Sequence, residues 1–291
     1  MKTIVILPGD RSGVEALSDA APLASLPLMG TTLAGRWLAH LGHLGAKQVR
    51  LLASDRADQV RAEVGDGSRW GLEVEVVREM RELTVLDACR KYDVRGQPDW
   101  LAAPNDVVLA DCFPELPGDR LFDGYEKFFA TLQKALVAGI ARGRVGAREI
   151  KPGVWAGLRS HIAPGAVVEA PCWLGEGVHV ERDAHIGPNV ILEDRTWVGT
   201  GAEVQGSYLA PDTHLGVATS LNDSLAMGSL LVDWKGGSTV RVLDSFLLCC
   251  LRTPLIRERM NRMAARIAEV ITPEPRLYSA KSFGWGGPAL R

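Results

Sequence analysis

Four histidines, His161, His179, His185 and His214, fall inside or beside one regular stretch of this 291-residue chain. Histidine is the residue type best suited to general-base work near neutral pH. His179 and His185, however, each open a six-residue unit at the same outward position, where an imidazole on a strand face is more often solvated than reactive. The five cysteines, Cys89, Cys112, Cys172, Cys249 and Cys250, are odd in number and lack metal-ligand spacing, so they read as reduced thiols. Cys249 and Cys250 follow the apolar run Phe246-Leu247-Leu248 and read as core. Gly9, Arg11 and Gly13 in an early loop, and Asp111 at the end of an apolar run, complete the set of candidates. The plain alternative for Asp111 is a helix N-cap or loop carboxylate. What any of them could do depends on the elements that carry them.

The strongest positional signal is a period of six. Ile162, Val168, Leu174, Val180, Ile186, Leu192, Val198 and Val204 stand six apart, and Ala156 and Leu215 extend the pattern imperfectly. Neither a helix nor a hairpin has that period, but a chain coiling into a triangular prism does, each hexapeptide making one short strand and one turn. A second inward residue follows four positions on, at Ala166, Cys172, Val178, Ala184, Val190, Thr196 and Ala202. Turn residues fall between, as in Pro164-Gly165, Gly187-Pro188-Asn189 and Gly199-Thr200-Gly201. Over about sixty residues this resembles the hexapeptide-repeat left-handed β-helix. The handedness is what that resemblance implies. Such prisms carry acyltransferase sites in one family and serve as non-catalytic oligomerising domains in sugar nucleotidyltransferases.

The first 150 residues read differently. Strands are expected at 3–7, 48–53, 72–77 and 106–111, and helices at 33–44, 57–64, 84–91 and 124–141, with 8–19 a loop. Alternating strands and helices with short links predict an open parallel sheet whose site lies beyond the carboxyl ends of the strands. The fold class is therefore α/β: a truncated parallel α/β sheet domain over 1–150, a hexapeptide β-helix over 151–251, and a C-terminal helix with an extended tail over 252–291. Residues 253–270 place Leu255, Ile256, Met260, Met263, Ile267 and Val270 on one side of that helix. The stretch from Pro273 to Arg291, with Tyr278, Phe283 and Trp285, is expected to be extended and to offer a docking segment for a protein partner.

With 33 basic against 35 acidic side chains and a formal net charge of −2, nothing in the balance points to nucleic acid. The apolar run at 1–7 is too short for a signal peptide or a membrane span, which places the expected location in the cytoplasm.

The loop Pro8-Gly9-Asp10-Arg11-Ser12-Gly13, then Leu17-Ser18-Asp19, Pro22, Pro27, Gly30 and Leu33, is similar to the opening of nucleoside-diphosphate-sugar pyrophosphorylases. The run Gly65-Asp66-Gly67-Ser68-Arg69-Trp70-Gly71-Leu72 resembles a turn of the same family, the mannose-1-phosphate guanylyltransferase and glucose-1-phosphate nucleotidyltransferase type. That resemblance implies attack of a sugar-1-phosphate on a nucleotide α-phosphorus, which needs cations and N–H donors more than an acid or base. It implies phosphate binding by Gly9, Arg11 and Gly13, with Arg11 and Asp111 as catalytic candidates and Asp111 as a Mg2+ ligand if the protein is active. The departures are as informative. Leu23 stands where the family has a lysine, Thr84 and Asp87 stand where it has glycines that let the base approach, and the forty residues after Asp111 are too few for the family's sugar-binding half.

These departures favour a catalytically degenerate, sugar-nucleotidyltransferase-like protein of polysaccharide or exopolysaccharide synthesis, binding a nucleotide, a sugar nucleotide or a partner as a scaffold or regulator, a pseudoenzyme with no cofactor. The alternatives are an active Mg2+-dependent nucleotidyltransferase, a hexapeptide acyltransferase using one of the histidines, and a purely structural oligomeriser. Trp173 and Trp197, at outward or corner positions of the prism, lead to the expectation of a homo-oligomer.

Overall fold

The computed structural model describes residues 2–92, 106–139 and 146–252. Contacts group the described residues up to Leu251 into one compact unit. The expected C-terminal helix at 253–270 and the tail from Pro273 onward lie outside the described residues.

The N-terminal part is a four-stranded parallel sheet. Its strands are β1 (Lys2–Ile6), β2 (Gln48–Ala53), β3 (Glu73–Arg78) and β4 (Asp106–Leu109), in the order β3-β2-β1-β4. β1 is buried almost throughout because Ile4, Val5 and Ile6 meet apolar side chains on both faces, as parallel strands between helices require. Among the described residues five α-helices accompany it: α1 (Glu15–Ala20), α2 (Leu33–His43), α3 (Ala57–Val64), α4 (Val85–Tyr92) and α5 (Tyr125–Val137). α1 overlaps the end of the segment expected to be loop; it spans under two turns, and Leu17 holds it to the core. α2 starts where Thr32 Oγ1 accepts from Gly35 N at 3.1 Å, an N-cap.

Three flat sheets then form the prism. Ile162, Val180, Val198 and Leu215 pair in register on one face, Val168, Ile186, Val204 and Leu221 on the second, and Ala156, Leu174, Leu192, Leu209 and Ala226 on the third. The coils are thus eighteen residues long while the six-residue spacing lasts. They shorten to seventeen after Val204, and for this reason Leu209 and Leu215 depart from the period without leaving the shaft. Val168, Leu174, Val180, Ile186, Leu192, Val198 and Val204 are buried, as are Cys172, Val178, Ala184, Val190, Thr196 and Ala202. Ile162, at the open first coil, is only half-buried. After the last coil the chain turns back in antiparallel strands: Leu230–Asp233 and Thr239–Arg241 extend the third face, and Leu248–Cys250 extends the first.

The third face is apolar on its outside as well. Trp173, Ile191, Tyr208 and Leu225 stand opposite one another along it, and all are buried in the same cluster as Phe128 and Phe129 of α5. The Phe128 ring meets Tyr208 edge-on at 5.9 Å, and Phe129 stacks on Trp234 at 4.9 Å. A tight turn completes the joint. Met29 and Gly30 both take left-handed φ (53° and 72°), a pair of positive-φ residues as a type I′ turn demands, and the turn aims their two N–H groups at the fully buried carboxylate of Glu193. Tyr208 Oη donates to Pro27 O at 2.8 Å beside it. This joint corrects one expectation: Trp173 does point out from the prism, but the α/β layer of its own chain covers it to 1% exposure, so it gives no argument for a second subunit.

Candidate functional site

In the order β3-β2-β1-β4, the chain leaves β1 toward β2 and β3 on one side and returns to β4 on the other. The loops after β1 and β4 therefore diverge at the carboxyl end of the sheet, where open α/β sheets bind ligands. Gly9, Arg11 and Gly13 lie in the loop after β1, and Asp111 follows β4. The sheet thus places the sequence candidates at one end; the Arg11 pKa is raised mainly by Glu82, with a smaller contribution from the Asp111 charge.

The loop is already filled. Glu82, which follows β3, accepts from Gly9 N at 2.8 Å and from both terminal nitrogens of Arg11. A Cβ at position 9 would lie 2.7 Å from Ser54 Oγ, so a side chain there would push that hydroxyl aside. Its N–H sits where backbone can reach a carboxylate or a phosphate oxygen. Arg11 is held above the usual guanidinium range, mainly by its hydrogen bonds to Glu82. Burial pushes the Glu82 carboxyl up, but the hydrogen bonds from Arg11 and Gly9 outweigh it and the group ends below the ordinary range. Gly13, at φ +92°, donates its N–H to Glu15 Oε1 at 2.8 Å.

The other cations nearby are matched in the same way. Arg120 Nε donates to Asp111 Oδ2 at 2.7 Å and lies 3.6 Å from Asp123. Arg56 pairs with Asp55 at 2.8 Å, with Asp10 near enough to raise its pKa further. Each guanidinium in this crevice faces a carboxylate, and Asp10 is present in addition. A cation at Asp111 would share that carboxylate with the Arg120 guanidinium. No group of three or more His, Cys, Asp or Glu side chains that could hold a metal ion occurs among the described residues. Mg2+ takes few protein ligands, one or two carboxylates with water and substrate phosphates completing the octahedron, and at Asp111 one of the two carboxylate oxygens is already bonded to Arg120.

The departures from the family pattern have structural counterparts. Leu23 is fully buried in the core and supplies no charge to the crevice. Thr84 caps α4, its Oγ1 accepting from Asp87 N at 3.1 Å, and Asp87 pairs with Arg81 at 3.0 Å. Glu82, three residues beyond Glu79, Arg120 and Arg56 escaped the sequence reading. A lone acidic residue in a loop has no period or spacing to mark it, and its partner Arg11 is 71 positions away.

The histidines divide between two faces of the prism. His161, His179, Trp197 and His214 pair in register on the first, with His179 stacked on Trp197 at 4.7 Å and His161 at 6.0 Å from His179. Burial lowers the His214 pKa. His185 lies on the second face, its Nε2 3.3 Å from Glu169 Oε1, both half-exposed. Among the thiols, Cys172 is fully buried with its pKa pushed up by desolvation, and burial lifts Cys249 to about 11. Neither is poised as a thiolate.

No family model matches the chain, and no curated protein matches it. Among solved structures it is similar to the acetyltransferase domain of PglB from Neisseria gonorrhoeae in complex with acetyl coenzyme A, at 12% identity and a TM-score of 0.16, over 63% of this chain and 97% of that one. It is also similar to a mutant of perosamine N-acetyltransferase from Caulobacter crescentus in complex with CoA and GDP-perosamine, at 16% identity and a TM-score of 0.17, over 63% of this chain and 94% of that one. Likeness at this level carries no argument about activity. The class that fold and site define is a small parallel α/β layer fused to one face of a prism of short parallel strands. Among the described residues no helix is long and apolar enough to cross a membrane.

Proposed function

We propose that this protein is a catalytically silent relative of the sugar nucleotidyltransferases, acting as a binding, scaffold or regulatory subunit in polysaccharide synthesis. The observation that carries the reading is Glu82: its carboxylate takes the Gly9 N–H and the Arg11 guanidinium, the donors that a nucleotide phosphate would need. A transition state with charge on α-phosphate oxygens needs preorganised donors, and losing one costs about two to three orders of magnitude in rate. In this chain Arg11 is neutralised, Leu23 is apolar and buried, and Asp111 is tied to Arg120.

The test is pyrophosphate release from each nucleoside triphosphate with glucose-1-phosphate or mannose-1-phosphate, with Mg2+ present. The native protein should release none above background. Glu82→Ala should gain a thermal shift with inorganic pyrophosphate, because Arg11 and Gly9 are then free, while remaining without turnover. Release by the native protein that Asp111→Ala abolishes would overturn the proposal and restore an active nucleotidyltransferase.

One observation favours the acyltransferase alternative, the His185–Glu169 pair, since a carboxylate can orient an imidazole base. Both groups are half-exposed on a flat strand face, which makes theirs a solvated surface contact. Acetyl transfer from acetyl coenzyme A that His185→Ala abolishes would reverse that judgement.

A further inference from the structure

We propose that a cleft of about 320 Å³ between α5 and one corner of the prism binds a neutral saccharide. Its volume lies within the ~300–1,000 Å³ range of small-molecule sites. The corner is a ladder: Gly206 N donates to Pro188 O at 3.0 Å and Asp223 N to Gln205 O at 3.1 Å, so Asn189, Gln205 and Asn222 come from three successive coils. Adjacent coils stand about 4.7–4.9 Å apart, as neighbouring strands do. Gln133 of α5 faces this ladder across the cleft.

These side chains are open for bonding. Asn222 Nδ2 donates to Ser220 Oγ at 3.1 Å, which leaves its carbonyl oxygen to accept. For the amides of Gln133, Asn189 and Gln205, no hydrogen-bond partner occurs among the described residues. An amide presents a donor and an acceptor side by side, the arrangement that pairs with two neighbouring hydroxyls of a sugar ring. Trp234 supplies the apolar wall. Its indole Nε1 donates to Gly206 O at 2.9 Å, and its ring lies on Phe129, which fixes it before any ligand arrives.

The charge pattern selects against other small ligands. The one cation of the lining, Lys235, is paired with Asp223, so a phosphate would find no free positive charge. The lining is too rich in amides for a lipid chain. The proposal is independent of whether the α/β domain binds a nucleotide.

Saturation-transfer NMR on the full chain with maltotriose, cellotriose and mannotriose tests it, with inorganic pyrophosphate as the anionic comparison. At least one trisaccharide should receive saturation and pyrophosphate should compete for none of it. The double variant Gln133→Ala/Gln205→Ala, which removes two side chains from the lining without touching the core, should bind about tenfold more weakly or worse. Its thermal midpoint, measured alongside, should equal that of the native protein. Absence of transfer to all three sugars, or transfer that the double variant leaves unchanged, would overturn the proposal.

Discussion

Glu82 shows how one carboxylate can occupy the donors of a loop, since the Gly9 N–H and the Arg11 guanidinium both bond to it. The consequence for pH follows from the sign of its shift. The folded pKa lies below the unfolded value of about 4.3, so the contribution to stability is present above that value and lost as pH falls through the folded pKa. Urea unfolding of the native protein and of Glu82→Gln should therefore differ at neutral pH and converge in acid, below about pH 4. Curves that stay parallel across that range would mean that the carboxylate is not held as described.

The hexapeptide strand is the unit at the next scale. Each is two or three residues long, too short to stand alone, and is held by register with the coils above and below. Its alternation sends Ile186 into the shaft and its neighbour His185 into solvent. Ile186→Asp buries an unpaired carboxylate and should cost several kcal/mol, roughly the loss of a native domain's margin. His185→Ala should fall within about 0.5 kcal/mol of the native protein. Equal urea midpoints for the two variants would show the register to be wrong.

The whole molecule hinges on the joint between the α/β layer and the third prism face. Trp173, Tyr208 and Phe128 share one apolar cluster, and Glu193 holds the turn at Met29 and Gly30. One unfolding transition should therefore serve both parts. Trp173→Ala should cost about 3–5 kcal/mol, as large aromatic deletions in cores do. In calorimetry it should split the single transition into two. A native protein that already unfolds in two steps would refute the coupling. With Trp173 accounted for within the chain, the expectation of a homo-oligomer keeps the flat strand faces of the prism and Trp197, half-exposed beside His179. Light scattering at micromolar concentration is the measure, and a monomer there would end it.

The prism was legible in the residues because its signal is local and repeated: the aliphatic residues from Val168 to Val204 are buried at every sixth position. The helix at Ala57–Val64 and the strand at Gln48–Ala53 were legible for the same reason, since amphipathic and apolar runs carry their own period. The outer column Trp173, Ile191, Tyr208 and Leu225 was also spelled out, at intervals of one coil, but its meaning depended on what would cover it. Only the folded chain decided that α5 and the turn at Met29 lie there. The meeting of Arg11 with Glu82, and of Met29 with Glu193 across 164 positions, was likewise decided by packing alone. A periodic pattern constrains every residue that shares it, whereas a single ion pair between distant loops leaves no trace in the spacing of either partner.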